Sequence, residues 1–123
     1  MVSKNLRALS IALAAASVLA GTLALNATAG PSKGNPAMGK PIFTTKCVVC
    51  HKANGAGGVK LTGNPTPNWT DPKTWNATRT DDYLRDCITN GKTKSGMVAW
   101  GKTGVLKPAQ IEDLIAYIKT FKK

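Results

Sequence analysis

Cys47-Val48-Val49-Cys50-His51 is the stretch whose residue types and spacing could do chemistry of their own. Two thiols three positions apart can add to the two vinyl groups on one edge of a haem. The imidazole that follows is then held beneath the ring, where it can bind iron, and C-x-x-C-H is the signal for that attachment. His51 is the only histidine in the chain, so no other imidazole competes for the role. A bare C-x-x-C pair would suit a redox dithiol or half a zinc site equally well. The appended histidine, an export leader upstream and a usable methionine downstream favour one covalently attached haem c over packing or disulfide cysteines.

Iron held by one imidazole needs a sixth partner or keeps an open position for small molecules. Met38 precedes Cys47 on the same predicted helix and cannot be bent over the opposite face. Met97 lies far downstream of His51 in a glycine-flanked loop and can reach it. A thioether in that place raises the reduction potential and keeps iron six-coordinate, which suits electron transfer over O₂ activation. The metal ligands read from the sequence are therefore His51 and Met97, with Cys47 and Cys50 binding the cofactor covalently.

The 123 residues do not all read as domain. Lys4 and Arg7 open a short basic lead, Ala8 to Leu25 is uncharged and rich in Ala and Leu, and Ala27-Thr28-Ala29 supplies a small-x-small cleavage pattern. Residues 1–29 thus read as a Sec-type signal peptide and residues 30–123 as one exported domain, periplasmic, monomeric and not inserted in the membrane after cleavage. The apolar run is diluted by Ser10, Ser17, Gly21 and Thr22, which argues against a retained anchor. A domain this small buries a modest core, so a cofactor inside it would supply much of the apolar contact. Lys+Arg 17 against Asp+Glu 6 is a strong basic excess. In an exported chain it points to an acidic protein partner rather than to nucleic acid.

Three helical patterns must position the chemistry. Pro36 opens the first, capped by Asn35, with Met38, Ile42, Phe43 and Cys47 at three- and four-residue intervals leading to the attachment motif. Gly39 interrupts it at a propensity cost of ~1 kcal/mol and would let another helix approach closely. Thr80 caps the second, which runs to Asn90 and stops at Gly91, with Tyr83, Leu84, Cys87 and Ile88 as its apolar stripe. Cys87 on that face is an inert small hydrophobe rather than a disulfide partner. Pro108 opens the third, with Ile111, Leu114, Ile115, Ile118 and Phe121 on one side, although Lys107 is an odd residue for its cap. Between them, Lys52 to Trp75 is a long Gly- and Pro-rich loop that would wrap a haem edge and offer a carbonyl to the His51 ring. Trp69 and Trp75 in this loop pack on the porphyrin or donate to a propionate, or else are plain core aromatics.

Gly39-x3-Phe43-x3-Cys47-V-V-Cys50-His51, Pro67-Asn68-Trp69-Thr70-Asp71-Pro72, Ile88-Thr89-Asn90-Gly91-Lys92, Met97-Val98-Ala99-Trp100 and Ile111-x5-Tyr117-Ile118 occur in this order. With them the chain resembles a class I, mono-haem bacterial cytochrome c across essentially the whole of residues 30–123. The resemblance implies an all-α fold of about three main helices and long loops around one haem, the first and last helices crossing near Gly39, Phe43 and Tyr117. It implies thioethers at Cys47 and Cys50, axial ligands at His51 and Met97, and a proline carbonyl, from Pro67 or else Pro65, on the His51 ring nitrogen. The chain departs from the family in having Met-Val-Ala-Trp where Met-Pro-Ala-Phe is usual, and in lacking a Ser or Asp cap on the last helix.

The leading reading is an electron carrier, not an enzyme, that shuttles single electrons between a dehydrogenase and a terminal oxidase. Lys46, Lys52, Lys92, Lys94 and Lys102 would ring the exposed haem edge and steer those acidic partners. The alternatives are a haem subunit of a larger oxidoreductase, and a weak haem peroxidase should the Met97 ligand be labile.

Overall fold

The computed structural model describes residues 33–123. The signal-peptide reading of residues 1–29 and the first residues of the 30–123 domain lie outside it. The described residues form α1 (Pro36–Lys46), α2 (Val48–His51), α3 (Asp81–Asn90) and α4 (Pro108–Lys119), with short 3₁₀ turns at Pro72–Thr74 and Thr93–Ser95. The expected all-α architecture of three main helices and long loops is what is found. The pairing of Lys92 with Met97 is an isolated bridge.

Each helix starts for a local reason. The Asn35 side chain accepts from the Ala37 N–H at 2.9 Å, and Pro36 occupies the first helical position, where a missing N–H loses nothing. At α3 the Thr80 hydroxyl accepts from the Tyr83 N–H at 3.2 Å, while Asp81 and Asp82 sit at the positive end. The absent cap on α4 is made good from inside the helix: the Lys107 N–H donates to the Gln110 side-chain oxygen at 2.9 Å. That is half of a capping box, built without a capping side chain.

α1 crosses α4, and this is the main helix pairing of the molecule. Gly39 makes it possible: a Cβ there would overlap the Asp113 carbonyl and stand 2.9 Å from the Tyr117 Cβ. Just outside α1, the Asn35 N–H donates to Asp113 Oδ1 at 2.7 Å. Phe43 is 1% exposed in the crossing, its ring 5.3 Å from those of Tyr117 and Phe121 and 6.0 Å from Trp69. One expectation fails here. Met38 is 58% exposed and not part of the buried stripe, because α4 covers the side of α1 that carries Gly39 and Phe43. α3 is tied to α4 by Arg85, whose guanidinium takes both Glu112 oxygens and also pairs with Asp82. Leu84, Ile88, Leu106, Ile111, Leu114, Ile115 and Ile118 complete the core. Among the described residues no helix is long and apolar enough to cross a membrane.

Candidate functional site

α1 ends at Cys47, which leaves helical geometry just enough (φ −114°, ψ −26°) to break α1 from α2. Its N–H still donates to Phe43 O at 2.9 Å, and its carbonyl accepts from His51 at 2.9 Å. The attachment motif is therefore one short turn, with Cys47, Cys50 and His51 all lining the same cavity. Val49 points away and is 83% exposed. Lys52 then turns the chain sharply at φ 59°.

The following loop folds back over the motif. The Gly57 N–H donates to His51 O at 3.2 Å, the Thr66 hydroxyl to Cys50 O at 2.8 Å, and the Trp69 N–H to Gly55 O at 2.8 Å. The last of these lays the Trp69 indole flat on the imidazole, ring centroids 4.4 Å apart and planes 11° from parallel. Burial pushes the His51 imidazolium down to about 4, so the ring is neutral near pH 7, the form that can bind a metal. Burial likewise pushes the Cys47 thiol up to about 11, against the pull of the Lys46 ammonium, so this thiol is protonated near pH 7. His51 Nδ1 is buried without a hydrogen-bond partner among the described residues. The Pro67 carbonyl lies over Gly57, where a Cβ would overlap it, and makes no bond to the His51 ring.

The cavity has a volume of about 360 Å³, within the range of cofactor pockets. Its walls come from every helix: Leu84, Cys87 and Ile88 of α3, Leu114 and Ile118 of α4, and Trp69, Met97 and Trp100 from the loops. Cys87 is buried as expected and free. The two loop tryptophans part company. Trp75 spends its indole N–H on Trp69 O at 2.7 Å, whereas Trp69 lines the cavity and its buried Nε1 has no partner among the described residues. Arg79, Tyr83 and Lys92 also line the cavity, with the two cations 5.2 Å and 5.0 Å from the tyrosine ring. Arg79 and Tyr83 were not singled out as site residues in the sequence. The signal was there for Tyr83, four residues before Cys87 on one helical face.

These residues fit a haem of the c type. The two thiols of the motif, one imidazole and one thioether border a single apolar cavity, and among the described residues no group of three or more His, Cys, Asp or Glu side chains could hold a bare ion. Residues 34–118 match the family model described as cytochrome C oxidase, cbb3-type, subunit III. The chain belongs to that family of cytochrome c domains.

Similar proteins include the cbb3-type cytochrome c oxidase subunit CcoP of Azospirillum sp. (strain B510). It is 34% identical over 88 residues, covering 65% of this chain and 28% of that protein. Subunit FixP of Bradyrhizobium sp. (strain ORS 278) is 36% identical over 89 residues, covering 68% of this chain and 29% of that protein. The chain thus spans less than a third of the length of these relatives. A solved c-type cytochrome, KustC0563, superposes with a TM-score of 0.54 at 22% identity, over 69% of this chain and 98% of that one, a likeness of fold. Membership in this cytochrome c family implies covalent haem c and electron transfer.

Proposed function

We propose that this cytochrome c domain binds one haem through thioethers at Cys47 and Cys50, ligates its iron with His51 and Met97, and carries single electrons between protein partners as a soluble periplasmic monomer released from its 1–29 leader. The observation that carries the reading is that the thiols of Cys47 and Cys50, the His51 imidazole and the Met97 thioether border one apolar cavity. The porphyrin iron supplies a reversible one-electron couple, raised in potential by a His/Met ligand pair. The chain does the rest. The Cys47–His51 turn fixes one edge, Trp69 and the Gly57 N–H orient His51, and the walls from α3 and α4 exclude water. Lys46 and Lys92 line the cavity, and Lys52, Lys94 and Lys102 are exposed. Their charge favours an acidic partner such as a terminal oxidase or a dehydrogenase.

Protein made alongside a competent haem-attachment pathway should yield a peptide spanning Cys47–His51 that keeps one porphyrin after denaturation. Met97→Ala should lose the weak red sulfur–iron band and admit carbon monoxide to the ferrous form. Colourless protein with no porphyrin mass overturns the reading.

A second reading rests on the relatives, which are subunits of cbb3-type oxidases. Here the domain works as a haem module fixed to such an oxidase rather than as a shuttle. Co-purification of an oxidase in stoichiometric amount supports it, and recovery of the free protein supports the carrier.

A further inference from the structure

The residue after Met97 is Val98, not a proline; it is 48% exposed and leaves its own φ free. Something else must hold the loop. Its downstream side is tied to α3, with the Gly101 N–H donating to Ile88 O at 3.3 Å and the Lys102 N–H to Thr89 O at 2.8 Å. Its upstream side closes on itself through paired bonds between Lys92 and Met97 at 3.0 Å and 3.1 Å. The tip between them, Thr93 to Gly96, has no tie to a helix among the hydrogen bonds of the described residues.

A hairpin arm meets that tip. Residues 58–66 double back through Gly58 N–H to Thr66 O and Thr66 N–H to Val59 O, both at 2.9 Å. The root of the arm is fixed to the attachment motif by the Thr66 hydroxyl on Cys50 O. Its tip crosses to the methionine side, where the Thr62 hydroxyl donates to Lys94 O at 2.9 Å. Two glycines in positive-φ conformations make the approach possible. A Cβ on Gly63 (φ +59°) would stand 2.8 Å from Lys94 O, and one on Gly96 (φ +78°) 3.2 Å from the Leu61 Cδ1. Leu61, Gly96 and Met97 all line the cavity, so the meeting point is at its mouth.

We propose that Thr62 is a positioning residue for Met97: the 58–66 arm latches the loop that presents the thioether, in place of the stiffness a proline would give. The inference rests on the reading of Met97 as an iron ligand. Thr62 touches neither cofactor nor iron in this scheme and acts only through the Lys94 carbonyl.

The test compares haem-loaded wild type with Thr62→Val, which keeps the shape and removes the donor, and with Thr62→Ser, which keeps the donor. Amide hydrogen exchange at Gly96 and Met97 should be about threefold to tenfold faster in Thr62→Val, the range one hydrogen bond accounts for. Carbon monoxide uptake by the ferrous form should rise in proportion, and the red sulfur–iron band should be lost at lower temperature than in wild type. Thr62→Ser should restore all three, and the far-UV melting midpoint should not separate the variants. A normal red band in wild type with equal exchange and uptake in Thr62→Val overturns the latch alone. Absence of the band in wild type overturns the Met97 reading and the latch with it.

Discussion

Lys52 stands directly after His51 at φ 59°, ψ 151°, a region that glycine occupies freely and other residues hold at a cost of about 1–3 kcal/mol. The strain sits where the chain must leave the attachment motif and turn back over the imidazole. Lys52→Gly should therefore stabilise the protein by about 1 kcal/mol after the larger unfolded-state entropy of glycine is counted, measurable as a higher denaturation midpoint. Trp69 and Trp75 show how far single residues are legible in the sequence. The sequence marks Trp69 and Trp75 alike as aromatics in a Gly- and Pro-rich loop. What separates them is the Gly55 carbonyl, which holds the Trp69 backbone at 2.8 Å, and the Trp69 carbonyl, which captures the Trp75 indole at 2.7 Å. Such distinctions depend on loop closure between residues many positions apart and leave no periodic trace. That Cys47, Cys50 and His51 share one cavity wall was legible for the opposite reason, since it depends on spacing within one turn.

The elements were easier to read where the signal is local. Asn35-Pro36, Thr80 with its two following aspartates, and Gly91 mark helix ends by hydrogen-bonding groups that act within a turn. Met38 was misread because three- and four-residue spacings from Cys47 fit two neighbouring stripes, and only the direction of approach of α4 chooses between them. Gln110 was overlooked as the source of the α4 cap, although a glutamine three residues into a helix is a known half of that motif. Gly39 marks the crossing, and Gly39→Ala should be severely destabilising, by roughly 2–3 kcal/mol or more, because the new methyl meets the Asp113 backbone rather than a movable side chain. Far-UV melting checks this, with Ala37→Gly as a control for helix propensity alone. Arg85→Ala should loosen α3 from α4 by about 1 kcal/mol, a partly exposed pair being worth little more. Its effect should shrink at high salt.

At the scale of the molecule, the core is organised around the cavity that the attachment motif borders. The cavity of about 360 Å³ lies between α3, α4 and the two long loops, and a domain this small relies on what its apolar wall encloses for much of its buried contact. Cys47→Ala/Cys50→Ala, unable to hold a haem covalently, should be largely unfolded by far-UV circular dichroism, and a native helical spectrum would count against this account. A chain with Lys+Arg 17 against Asp+Glu 6 should also pass electrons to an acidic partner more slowly as ionic strength rises, seen as a falling second-order rate in stopped flow. The aromatic stack gives the architecture a direction in time. Trp69 lies parallel both to His51 and, at 6.3 Å, to Phe121, whose ring also presses on Gly55. A ribosome therefore delivers the thiols of the motif and Trp69 before the Phe121 ring that stacks behind that tryptophan. The motif thus lacks its full aromatic backing until the end of α4 has been made.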